Sequence, residues 1–160
     1  MDTSELEEAC RNVVATASRL DEREAGSDTD WSSSRVLAHL IAANRNMTEL
    51  VARVLAGAEA APFTNRAALQ RPYLDAIVHG AGDRDGLIAE FERSSRELID
   101  TSAALGDDAD GAVIDTAFWE AEGIVFEGPM PLAQLFTVIR GHRAGHVQQL
   151  AALMAHHGVK

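Results

Sequence analysis

Three histidines carry the chemistry that this sequence offers most plainly. His142 and His146 stand four apart in GHRAGHVQQ. On a helix that spacing puts both imidazoles on one face, one turn apart, where they can reach a single metal ion. The intervening residues are Arg-Ala-Gly, so the glutamate that serves as general base in an HExxH metalloprotease is missing. Two histidines make a weak site, and a third ligand is wanted. His39, in RVLAHLIAANRNM, falls at the edge of an apolar helical face and is the best candidate. His79 lies in a turn-like HGAGD, while His156 and His157 suit the end of the last helix. The alternative is that the pair is buried and satisfied by hydrogen bonds, with no ion. Each of the two histidines follows a glycine, Gly141 or Gly145, although glycine costs a helix interior about 1 kcal/mol. The expectation is that these glycines clear space for a ligand or for a neighbouring helix.

These residues need helices to hold them, and helical periodicity dominates the chain. A first helix carries Leu6, Cys10, Val13, Val14, Ala17 and Leu20 at three- and four-residue spacing, with Ser4 and Glu7 as a capping box. GSDTD then breaks the chain. A second helix, capped by a serine of WSSS, runs to about Gly57 with Val36, Leu40, Ala43, Met47, Leu50 and Val54 on its apolar face. Pro62 and Pro72 bracket a short helical possibility that HGAGD closes. A third long helix spans about Asp83 to Leu105, with Leu87, Phe91, Leu98 and Ser102 on one face. An irregular excursion follows, in which VIDTAFWEAEGIVFEG holds two short extended pieces. The fourth long helix starts at Pro131, suited to a first helical position. Its buried stripe is expected at Leu132, Leu135, Ile139, His142, His146, Gln149 and Leu153, ending near Gly158. The expected fold is an all-α four-helix bundle forming a single domain over residues 1–160, with metal ligands on facing helices.

Composition excludes several roles. A net charge of −11 over 160 residues argues against nucleic acid as a partner. No stretch approaches the roughly 18 apolar residues of a membrane span. MDTSELEEAC has no basic region followed by an apolar one, so no signal peptide is expected and the location is read as cytoplasmic. The single cysteine, Cys10, excludes an internal disulfide and reads as a buried structural thiol.

The segment WSSSRVLAHL in the second helix, together with HxxxHxxQ late in the last, resembles the DinB-like superfamily. That superfamily includes the bacillithiol transferases and the N-terminal domain of the mycothiol-dependent maleylpyruvate isomerase. The resemblance extends over nearly the whole chain and implies an up-up-down-down bundle holding one divalent metal on His39, His142 and His146. Gln149 matches the glutamine of the pattern and would pack beside the ligands or orient one of them. No counterpart of the isomerase's additional C-terminal domain is read here, so isomerisation of maleylpyruvate itself is not expected. The resemblance also permits a homodimer, for which Ile41, Val51 and Val138 are spare apolar residues.

Three neutral imidazoles leave a divalent ion (zinc, nickel or iron(II)) one open position, where a thiol loses its proton. The expected activity is therefore transfer or addition of a low-molecular-weight thiol, mycothiol-like, to an electrophilic small molecule. The alternatives are Lewis-acid chemistry without a thiol (a lyase, cyclase or hydrolase), a non-catalytic metal-stabilised ligand-binding protein, or a metal-free dimeric module. Around the site, Asn46 shares the face of His39 and could line a cavity. Trp119, Glu120 and Phe126, in the excursion, would form a lip over the open position, although a core aromatic would explain Trp119 as well. Arg143 sits between the two late histidines on a different face, as a pocket charge or, more simply, a solvated helix charge. Trp31 reads as a packing residue where the second helix begins.

Overall fold

The structure, a computed structural model, describes residues 3–20, 31–57, 62–106, 112–120 and 123–157, the side chains of 154–157 excepted. GSDTD, Gly158 and the His156 and His157 side chains lie outside the described residues. Among the described residues, five helices and a small sheet follow one another along the chain. They are α1 (Ser4–Ala17), α2 (Ser33–Leu55), β1 (Phe63–Thr64), a 3-10 turn at Arg66–Leu69, and α3 (Arg71–Ala81). Then come α4 (Arg84–Ala103), β2 (Val113–Glu120), β3 (Gly123–Pro131) and α5 (Leu132–His157).

The expected long helices form, with small changes at their ends. Thr3 rather than Ser4 is the N-cap of α1, and its hydroxyl donates to the Glu7 carboxylate at 3.3 Å. Ser32 caps α2 by accepting from the Arg35 amide. Asp83 caps α4 in the same way, through the Gly86 amide at 2.7 Å. The short helical possibility resolves into a 3-10 turn and a fifth helix, α3, with Pro72 in its first turn. His79 therefore lies inside α3, and the turn begins only at Gly82, where φ of +84° suits glycine. Pro131 closes β3, and its neighbour Leu132 opens α5 by donating its amide to the Ala112 carbonyl.

α2 is the central element, packing on α3, α4 and α5, while α1 packs on α4 and α5. Contact with several neighbours explains why α2 buries far more than one stripe: Leu37, Ala38, Ile41, Ala42 and Val51 are covered as fully as Val36 and Leu40. Ile41 and Val51 are thus core residues of this chain and offer nothing to a dimer face; Val138 alone of the three is exposed. Leu87, Phe91, Leu98 and Ser102 of α4 face inward as the spacing predicts.

The two extended pieces pair antiparallel, and β1 joins the other edge of β2 in parallel, giving the order β1-β2-β3. Between Phe118 and Trp119 the register slips at a bulge. Bulges bend a strand and re-aim its side chains. Here that happens where the sheet meets the histidines' end of the fold. No helix among the described residues is long and apolar enough to cross a membrane.

Candidate metal centre

His39 projects from α2, and His142 and His146 from α5. Their ring nitrogens converge, with His142 Nε2 lying 3.0 Å from His39 Nε2 and 2.9 Å from His146 Nε2. One nitrogen from each histidine lies within 4.8 Å of the others, a grouping that could hold a metal ion. Ligand nitrogens about 2.0–2.1 Å from a tetrahedral ion stand close to one another, so the spacing is of the right size.

The hydrogen bonds behind the rings settle which nitrogens carry protons. His39 Nδ1 is 2.7 Å from the Ala68 carbonyl, which can only accept. Nδ1 therefore holds the proton, and in the neutral ring Nε2 is left with a lone pair. His146 Nδ1 is likewise 2.7 Å from the Gln149 side-chain oxygen, leaving its Nε2 as an acceptor. Both lone pairs point at His142 Nε2, which has at most one proton to share. A cation placed among the three nitrogens satisfies every one of them, and partners that fix the tautomer are the usual companions of histidine ligands.

Electrostatics keeps these rings neutral. Burial lowers the pKa of His39 from 6.5 to about 4, against the opposing pull of the Ala68 carbonyl. Burial, followed by the neighbouring His146, His39 and Arg143, lowers His142 to about 3. Burial also lowers His146, partly offset by its bond to Gln149. Deprotonated imidazoles are the form that binds metal.

Trp31 does more than pack at a helix entry. Its ring meets His39 edge-on at 5.2 Å and lies tilted over His146 at 6.2 Å. An aromatic just before the cap of a helix that carries a histidine two turns on was the available signal. The Ala68 carbonyl had none, because a backbone group leaves no mark on composition.

The two glycines do not clear space for the site. A Cβ built on Gly141 or Gly145 meets nothing within 4 Å, and both residues are exposed. They lie on the outer surface of α5, one residue before each histidine and so about 100° around the helix.

Arg143 is the larger correction, for it is buried rather than solvated, at 1% exposure. The inward face of α5 runs through Leu132, Leu135 and Ile139 as expected, with Phe136 beside them, and then through Arg143 and Leu150 in place of His142 and Gln149. His142 and His146 are left half-buried at the boundary between core and cavity. Arg143 Nη2 donates to the Asn44 side-chain oxygen, whose amide nitrogen donates to Ser94 Oγ at 3.1 Å and Ser95 Oγ at 3.0 Å. Burial lowers the Arg143 pKa, and the adjacent Cys10, buried as expected, opposes that shift.

A cavity of about 920 Å³ opens over the three histidines. Asn46, Trp119, Glu120 and Phe126 line it as the sequence suggested, whereas Gln149 stays behind His146. Arg143 is not among its lining residues. The β2 segment is held in place by Asn65, which receives the Trp119 amide at 2.8 Å and donates to the Trp119 carbonyl at 3.0 Å. A side-chain amide thus continues the β1–β2 pairing past Thr64 and Ala117, at the bulge.

No family model matches the chain, and no curated protein matches it. Among solved structures, the mycothiol-dependent maleylpyruvate isomerase superposes with a TM-score of 0.68 at 16% identity. The alignment covers 92% of this chain and 58% of the isomerase chain. A histidine-to-alanine variant of the same isomerase gives a TM-score of 0.69, again at 16% identity. The fold is DinB-like. The chain spans less than two thirds of the isomerase's length, and at this identity the likeness carries the fold alone.

Proposed function

We propose that this chain is a metal-dependent enzyme that adds or transfers a low-molecular-weight thiol, mycothiol-like, to an electrophilic small molecule, with His39, His142 and His146 as the ligands. The observation that carries this reading is the convergence of their nitrogens, at least two of them bare lone pairs, on the floor of a cavity of about 920 Å³. His39, His142 and His146 would hold a divalent ion, which would lower the pKa of a bound thiol toward neutrality.

The chain's own residues prepare that position. The Ala68 carbonyl and Gln149 lock the tautomers of His39 and His146 and fix their ring planes. Trp31 covers the flank of two of the rings. On the open side, Asn46 and Glu120 offer polar groups to a bound substrate, and the sheet supplies an apolar wall that excludes water. The isomerase that shares this fold is mycothiol-dependent by name, which supports a thiol as co-substrate.

The test is thiol-dependent turnover. Zinc-, nickel- or iron(II)-loaded protein, mixed with mycothiol and a panel of enones, epoxides and aryl halides, should consume thiol and electrophile one for one. Metal-stripped protein and His142→Ala should not. Electrophile turnover that needs the metal but no thiol would replace this reading by Lewis-acid chemistry at the same site.

A further inference from the structure

The charges around the cavity run against the charge of the chain. Over the whole sequence 25 acidic residues outnumber 14 basic ones. Among the described residues, the charged ones lining the cavity are three arginines, Arg35, Arg66 and Arg71, and one glutamate, Glu120, the histidines aside. Arg35 is engaged, its Nε 3.1 Å from Asp75. Arg66 is held differently. Its guanidinium carbon lies 4.6 Å from the centre of the Trp119 ring, and among the described residues no carboxylate forms an ion pair with it.

This stacked pair is built rather than incidental. Asn65, the residue before Arg66, clamps the Trp119 backbone with two hydrogen bonds at the β2 bulge. The Trp119 backbone is thereby fixed, and the flat guanidinium rests on its ring, with no hydrogen-bond partner on its N–H edge among the described residues. Stacking leaves that edge available for two parallel hydrogen bonds to a carboxylate or sulfonate. Beside it the wall is aromatic. Phe63 meets Phe118 edge-on at 5.9 Å, Phe118 lies 6.3 Å from Phe126, and all three line the cavity.

From this arrangement we infer that the cavity takes an amphipathic anion, an aromatic or similarly bulky apolar body bearing one carboxylate or sulfonate, with the anionic group on Arg66 and the body along Phe63, Phe118 and Phe126. A short dicarboxylate would leave most of this aromatic wall bare. The inference names the substrate class for the site proposed above and rests on reading this cavity as the substrate site.

Two fluorescent probes of similar body test it. Anilinonaphthalene sulfonate carries the anion, and the uncharged phenylnaphthylamine does not. Binding is measured on metal-stripped and on zinc-loaded protein, so that the anion site and the metal site are read separately. The expected result is one saturable sulfonate site, displaced by phenylbutyrate and not by phenylbutanol. Arg66→Gln should weaken the sulfonate about fivefold to tenfold and leave the uncharged probe within about twofold. Arg66→Lys, which keeps the charge without the flat fork, should fall between. Arg96→Gln removes one charge from the exposed side of α4 and should change neither probe. The inference is overturned if Arg66→Gln weakens both probes alike, if it weakens neither, or if the sulfonate does not bind. If Arg66 governs the sulfonate in a protein that takes up no metal, the anion site stands and the metal reading fails. If zinc binds but Arg66→Gln has no effect, the reverse holds.

Discussion

The Arg143 guanidinium donates to the Asn44 side-chain oxygen across the interior, joining α5 to α2, and among the described residues no carboxylate meets it. Asn44 in turn holds Ser94 and Ser95 of α4, so one buried polar network ties three helices together beside His142. Nε and Nη1 of Arg143 are buried without a hydrogen-bond partner, which makes the Asn44 contact the main compensation for a desolvated cation. Removing the partner should therefore be worse than removing the charge. Asn44→Ala is expected to cost about 3–5 kcal/mol, whereas Arg143→Met, apolar and of comparable length, should cost less than about 2 kcal/mol. Urea unfolding measures both; an Arg143→Met loss exceeding that of Asn44→Ala would contradict this view of the network.

Gly141 and Gly145 give a cleaner case. Both face open space on a long helix, so alanine meets no neighbour. Each Gly→Ala change is expected to raise stability by up to about 1 kcal/mol, through helix propensity, and to leave metal content unchanged. A thermal scan with metal analysis decides it; a destabilised or metal-poor double variant would mean that the glycines serve the site after all.

Acid should loosen the metal-free protein. His39 and His142 have folded values of about 4 and about 3, below the ordinary 6.5 that the unfolded chain would show. Between those values the unfolded chain binds more protons, so stability rises with pH across that window. The contribution is complete above about pH 6.5 and is lost as pH falls toward the folded values, at up to about 2 kcal/mol per histidine by pH 5. Urea midpoints from pH 7.5 to 5 should fall for the wild type and flatten for the His39→Leu, His142→Leu double variant. A wild type with constant midpoints would contradict the burial of neutral rings.

Much of this site is legible in the sequence, because its geometry is local. A four-residue histidine spacing needs nothing but a helix, and His39 needs only that a second helix face the first. The faces of α1 and α4 follow from periodicity in the same way. The burial of Arg143 is not legible in the same way. From Ile139, a three-residue step reaches His142 and a four-residue step reaches Arg143, and which of the two faces the core is a tertiary property. The Ala68 carbonyl and the Asn65 clamp on Trp119 were invisible for a related reason: each bond joins a backbone group to a side chain brought near only by folding.

Gln149 does not line the cavity over the histidines, yet it should matter to the ion. It accepts from His146 Nδ1 at 2.7 Å, so Gln149→Leu frees the ring to turn and to change tautomer. Zinc affinity is expected to fall about 10- to 100-fold while the fold persists. Competition against a chelating dye reads this directly; unchanged affinity would show that Trp31 and the helix backbone orient His146 unaided.

If His39, His142 and His146 share one ion, the metal content of the protein must show it. Protein purified without a metal-binding tag, as wild type and as His142→Ala, is dialysed against zinc, nickel or iron(II) and analysed by plasma mass spectrometry. About one equivalent of one of these metals is expected in wild type and is lost in the variant, with wild-type thermal stability raised by the metal. Wild-type protein that stays metal-free in all three, or a variant that binds as much as wild type, would contradict it.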